Sequence, residues 1–271
     1  MPENVFPFSA LAWRKKPRRR PISISGNLAQ YLLLPFLHSG QQENHVRKIL
    51  LAFLLLVAPA AADTVKVAGA DVAIVLPAGY CELQPNDKSD ARVLAAIRGM
   101  IEPIGNSLLS AAAECSVLPQ WRNRKVSRLS NMTQYQSYTG ETKEGTRKEA
   151  DEAVAAVCNE LRATGKKQMD DMNPSVKARA AKVMEKIEYG KIEMVGVTGE
   201  EPGVCYVALL QKFRAEDKTD VVQLVTYATT LVKGRWVYFY LFNDYENADS
   251  VEKSLAMHRK NVRAFLTANG M

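Results

Sequence analysis

Few side chains in this chain can move a proton near neutral pH. Between residue 63 and residue 271 there is a single histidine, His258. An imidazole titrates near pH 7 and is the commonest proton shuttle, so His258 is the one candidate for a general base. It falls seven residues after Val251, on or beside the inward stripe of an expected C-terminal helix, where an imidazole hydrogen-bonded into the core edge also fits. A Ser-His-Asp hydrolase would have to recruit it, but no G-x-S-x-G elbow occurs. One histidine cannot make a multi-histidine metal site or an H-E-x-x-H pair. Neither a Walker A loop nor G-x-G-x-x-G is present, so phosphates have no recognisable cradle. Asp170-Asp171 and Asp244-Tyr245-Glu246 have the composition of glycosidase or calcium sites. The first pair is expected in an interhelical loop and the second cluster in the turn before a helix, where acids complement the helix dipole. No catalytic residue, metal ligand set or cofactor is assigned.

Four cysteines, Cys81, Cys115, Cys158 and Cys205, all lie beyond residue 62. Zinc sites use close pairs of the C-x₂₋₄-C kind, whereas these cysteines stand tens of residues apart. An even count in an exported chain reads as disulfides. Three pairings are open. The favoured one is Cys81 with Cys115 and Cys158 with Cys205, since each bridge encloses a moderate loop and staples one half of the chain independently.

The formal charge is +7, from 36 Lys and Arg against 29 Asp and Glu, with a pI near 9.2. Residues 1–62 carry eight basic and two acidic side chains, so the remainder is almost neutral. A body without a bulk positive field does not suit nucleic acid. Locally, Arg122, Arg124, Lys125 and Arg128 beside Trp121 form a basic run that would meet an anionic headgroup or an acidic partner; a solvated connection between strands is the plainer account.

Arg47-Lys48, the apolar run from Ile49 to Val57 and the small residues Ala60-Ala61-Ala62 follow the order of a secretory signal, with cleavage between Ala62 and Asp63. The apolar run to Ala62 is shorter than the roughly 20 residues a membrane-crossing helix needs. Three segments follow: residues 1–45, a doubtful leader that translation from Val46 would omit; 46–62, the signal; and 63–271, one exported domain. The expected compartment is the periplasm, with membrane contact only in transit through the signal.

Periodicity supplies the elements of that domain. Val72, Ile74 and Leu76 alternate as a strand ended by Pro77-Ala78-Gly79. Ser89-Asp90 caps a helix running to about Ile101, and Ser107–Ala113 leans to a buried strand. Val126–Tyr138 reads as a strand. Ala150, Ala153, Val154, Val157, Cys158 and Leu161 make a helical stripe. Asn173-Pro174 reads as the N-cap and first residue of a second helix, stopped by Gly190. Ile192–Val197 and Val204–Phe213 are strands joined through a turn-rich Thr198–Gly203. Asp220–Val232 and Arg235–Phe242 form a hairpin on Lys233-Gly234. In the last strand Trp236, Tyr238, Tyr240 and Phe242 alternate with Val237, Phe239 and Leu241, so both faces are expected to be covered. A helix from Ser250 closes the chain. The fold class is α+β: a mostly antiparallel sheet flanked by helices in one domain.

The opening strand ending in Leu76-Pro77-Ala78-Gly79-Tyr80, and the closing order of strand, Lys233-Gly234 turn, aromatic strand and C-terminal helix, resemble the PsbP-like α/β/α sandwich superfamily. The likeness covers about half of the domain, and the helical stretch 141–188 exceeds the simplest members. What the resemblance implies is an accessory or binding module without catalysis. The expectation is a non-catalytic envelope module, monomeric, whose partner is an unknown envelope protein or small ligand. The alternatives are a periplasmic hydrolase using His258 or a loop carboxylate, and a membrane-tethered interaction protein using the Trp121 run.

Overall fold

The computed structural model describes residues 63–140, 145–184, 187–215 and 218–271. The expected leader 1–45, the expected signal 46–62 and, with it, Ala62 lie outside the described residues; Asp63 opens the first strand. In chain order the elements are β1 (Asp63–Val67), β2 (Ala70–Ile74), β3 (Tyr80–Glu82), α1 (Lys88–Ile101), a 3₁₀ turn (Glu102–Ile104), β4 (Asn106–Glu114) and α2 (Leu118–Arg122). They continue with β5 (Met132–Tyr138), α3 (Arg147–Val183), β6 (Glu188–Glu201), β7 (Val204–Arg214), β8 (Asp220–Val232), β9 (Arg235–Asp244) and α4 (Ala248–Ala268).

Seven strands make one antiparallel sheet in the order β3-β4-β5-β9-β8-β7-β6, and β1 and β2 form a separate hairpin. Chain order breaks where β5 neighbours β9. From β5 the chain crosses the sheet through α3 to the far edge and returns by the meander β6 to β9. Two hairpins need a left-handed pair of residues in their turns: Ala68-Gly69 joins β1 to β2 and Lys233-Gly234 joins β8 to β9, with φ positive at all four positions. The fold is α+β and single-domain, in agreement with the sequence pattern.

The two faces of the sheet are covered differently. On one, α4 and the β1–β2 hairpin pack on Val237 and Phe239 of β9, Tyr135 of β5 and Tyr206 of β7 through Val262, Phe265 and Leu266. The Tyr135 hydroxyl donates to the Val75 carbonyl at 2.6 Å, and the Asn269 side chain both donates to and accepts from the Ala73 backbone at 2.9 Å. On the other face, α3 lies chiefly on β6 and meets α1, while α1 packs on β4. Ala111 and Ala113 of β4 receive Leu94, Ile97 and Ile101 of α1 in a smaller core.

Several elements differ from the periodicity reading. Residues 147–183 are one helix, with Pro174 inside it. The Asn173 amide caps no second helix; it donates to the Ile192 carbonyl and accepts from the Ile192 N–H, at 2.9 and 2.8 Å, tying α3 to β6. A proline in a helix interior costs about 3 kcal/mol, which burial of Val176 and Ala180 beyond it and the Asn173 clasp offset. Asp170-Asp171 therefore stand on a helix rather than in a loop, and pair with Lys191 and Lys167. The strand β5 begins only at Met132, because Leu129 is drawn into the α1 core and Arg128 reaches Asp244. β6 starts at Glu188 and runs through Gly190, Gly196 and Gly199 to Glu201, leaving Pro202-Gly203 as the turn. Those glycines sit at or beside breaks in register with β7, the bulge role of glycine inside a strand. α1 is capped by Asp87, whose carboxylate accepts from the N–H groups of Ser89 and Asp90. The elements β3 and α2 have too few residues for period to show.

Candidate functional site

The sheet face beneath α3 is not filled. Its floor comes from side chains that alternate with the dry-core residues: Trp236, Tyr238, Tyr240 and Phe242 of β9, and Val225, Tyr227 and Thr229 of β8. Pairing places Tyr227 and Gln134 opposite Tyr240, and Thr229 and Gln136 opposite Tyr238, so aromatic rings and amides share one surface. The rings of Tyr227 and Tyr240 stand 5.3 Å apart, and those of Tyr240 and Phe242 6.2 Å apart. The roof is the inner face of α3: Val157, Leu161, Gly165, Met169, Met172 and Val176. Ile97, Met100 and Ile101 of α1 close one wall, Ile192 and Met194 of β6 the other.

Between floor and roof is a cavity of about 270 Å³. That approaches the lower end of small-molecule sites, roughly 300–1,000 Å³. Its origin lies in α3. The helix is fully buried at Val154, Cys158, Leu161 and Gly165 and again at Val176 and Ala180, while Gln168, Met169 and Met172 between them are only half-buried. Gly165 has no Cβ because the Met194 thioether occupies that place; a methyl built there would lie 2.5 Å from Sδ.

Protonation and polarity of the lining are set by burial. The phenols of Tyr227, Tyr238 and Tyr240 are pushed well above their usual value by desolvation, and further by neighbouring phenols: Tyr238 acts on Tyr227, Tyr138 on Tyr238, and Tyr227 and Tyr238 on Tyr240. They are neutral at any physiological pH and present apolar faces with hydroxyl tips. Asn106 donates to Gln136 at 3.2 Å and Gln136 donates to Gln134 at 3.1 Å, a side-chain amide chain along the floor. Arg179 is the one charged side chain in the lining, and no Asp or Glu faces the cavity among the described residues. Its Nε is buried and makes no hydrogen bond, and the guanidinium has no carboxylate within ion-pair distance among the described residues. Burial holds its pKa below the ordinary arginine value.

The sequence candidates fall elsewhere. Cys81 pairs with Cys115 and Cys158 with Cys205, the favoured pairing, and among the described residues no cysteine is free. The second bridge joins the roof helix α3 to β7 beside the cavity. His258 lies on the opposite face, fully buried between Tyr206 and Phe239, with Nδ1 2.9 Å from the Thr226 hydroxyl, itself 3.1 Å from Ser254. Desolvation pushes its pKa down to about 3. Such an imidazole is a neutral hydrogen-bonding core residue, and it lines no part of the cavity. Of the basic run, Arg122 is held by Asp90 and Asp87 and Arg128 by Asp244 through two bonds, while Trp121 packs against the α1 core. Arg124 and Lys125 are exposed. Glu246 lies in the turn before α4. Among the described residues no group of three His, Cys, Asp or Glu stands close enough to hold a metal ion.

Sequence reasoning missed the cavity. The strand with apolar residues on both faces is covered on both sides, as expected, but pattern alone does not say whether a cover touches. The available signal was Met169 and Met172 beside Gly165, flexible side chains and a gap on a helix face that otherwise repeats branched aliphatics. No family model, curated protein or solved structure matches the chain.

Proposed function

We propose that the protein is a non-catalytic binding module of the bacterial envelope, exported to the periplasm and PsbP-like in kind, which carries a small apolar molecule between its sheet and α3. The observation that carries this reading is the half-enclosed cavity, floored by Trp236, Tyr238 and Tyr240 and roofed by methionines. Few convergent polar groups in an otherwise apolar hollow are the usual make-up of a ligand site. Methionine supports it further, because a flexible polarisable side chain adapts to more than one occupant. Two disulfides suit an oxidising compartment, and no described helix is long and apolar enough to cross a membrane.

The test is a titration of the disulfide-intact protein with N-phenylnaphthylamine, a neutral dye that fluoresces in apolar surroundings. A saturable rise is expected, and Met172→Trp, which fills the cavity from the roof, should abolish it while the thermal melt stays cooperative. A folded protein that leaves the dye dark overturns the reading, as does a signal that Met172→Trp leaves unchanged. Export is checked separately by intact mass after osmotic shock. A released product beginning at Asp63 with both bridges closed is expected; retention of residues 46–62 overturns the cleavage.

A further inference from the structure

The chemistry of the lining narrows the ligand class. Burying a guanidinium against apolar walls is costly unless a counter-charge or hydrogen-bond acceptor meets it. Elsewhere among the described residues partly buried arginines have such partners: Arg122 has Asp90, Arg128 has Asp244 and Arg259 has Glu201. Arg179 differs. Its polar contact is a 3.4 Å approach of Nη1 to the Ser175 hydroxyl, and its Nε is buried with none. The amide chain on the floor points the same way. Asn106 donates to Gln136 and Gln136 to Gln134, which leaves the Gln134 NH₂ at the end of the series without a hydrogen bond to any described residue. Cation and donor end both line the cavity, and no carboxylate of the described chain does.

An occupant complementary to this lining has an apolar body for the aromatic floor and an anionic acceptor for the guanidinium. A planar fork of N–H groups matches a carboxylate in two parallel bonds. Resting on the binding reading above, we propose that the ligand is a single-chain amphiphile with a carboxylate head, its tail along the Tyr238–Tyr240–Phe242 row and its head at Arg179. The floor phenols stay neutral and cost such an anion no repulsion.

Displacement of N-phenylnaphthylamine by three ligands of equal chain length tests this: dodecanoate, dodecanol and dodecyltrimethylammonium. Below their micellar concentrations, dodecanoate is expected to displace the dye at roughly one tenth of the concentration dodecanol requires, with the cation weakest. In Arg179→Met the dodecanoate-to-dodecanol ratio should fall to within about twofold of unity. Any general loosening of the cavity cancels in that ratio. Arg179→Lys, which keeps the charge and loses the fork, should fall between, and serves if the methionine variant does not fold. Equal displacement by dodecanoate and dodecanol in the unaltered protein overturns the carboxylate assignment and leaves the binding module standing. An unchanged ratio in Arg179→Met overturns the role of Arg179. If the dye itself never binds, the binding reading has failed instead.

Discussion

The two faces of the sheet are built from alternate residues of the same strands, yet one is solid and the other hollow. In β9, Val237, Phe239 and Leu241 are at most 1% exposed, whereas Trp236, Tyr238, Tyr240 and Phe242 are only half-buried. Composition does not separate them, since the hollow face carries the larger side chains. The covers do. α4 meets its face with Val262, Phe265 and Leu266, and the β1–β2 hairpin fills beside it. α3 spans its face as one helix of about 55 Å and packs closely on either side of Met169 and Met172, leaving space under those two residues. Dry packing supplies stability on one side. On the other, incomplete packing supplies a place for something else.

Phenylalanine and tyrosine truncations should separate the faces most sharply. Phe239→Ala opens a new void where Tyr135 stacks 4.2 Å away, and a loss of about 3–5 kcal/mol in denaturant unfolding is expected. Tyr240→Ala enlarges a void that already exists, and should cost less than half as much while weakening dye binding. Equal losses would erase the distinction.

Next in size is the bridge that holds the roof. Replacing Cys158 and Cys205 together by alanine should cost about 2–4 kcal/mol and loosen α3, read as faster hydrogen exchange in 150–165 than in α4. Uniform exchange across both helices would show that α3 does not depend on its bridge.

A pH dependence belongs to the solid face. Burial holds His258 at about 3 in the folded chain against 6.5 for an ordinary imidazole. Between those values the unfolded chain takes up the proton and the folded chain does not. Stability therefore rises with pH through this window and is lost as pH falls below about 6.5. From pH 7.5 to pH 5 the loss from this group is about 2 kcal/mol, and His258→Gln should remove that part of the slope. Dye binding, on the opposite face, should not follow it.

The smallest effect is at Gly165. Alanine there relieves a helix-interior glycine, a gain of about 0.5–1 kcal/mol, against displacement of the mobile end of Met194. The net change in melting should be slight, and the dye should bind more weakly because the methyl enters the roof.

Much of the architecture could be read from pattern. The Lys233-Gly234 hairpin, the two-sided β9, the lean to a strand at Ser107–Ala113 and the stripe from Ala150 to Leu161 follow from short-range period, segment length and turn chemistry, which act within one element. The errors fall where a distant partner overrode a local preference. Asn173-Pro174 has the chemistry of a helix start, but Ile192, nineteen residues on, claims the amide. Thr198-Gly199 has the chemistry of a turn, but Cys205 and Tyr206 draw it into the sheet. Arg122, Arg128 and Asp244 read as open charges and are joined across the fold.

By itself the sequence determined which residues face which way along β2 and β9, that four sulfurs pair in an even set, and that His258 stands without catalytic company. Those are consequences of bond geometry and composition. Whether a cover touches the face beneath it depends on where the ends of that cover are pinned. Cys158 and Asn173 hold α3 to β7 and β6, and the space around the half-buried methionines of its inner face, with Arg179 in its lining, exists only once those long-range ties have closed.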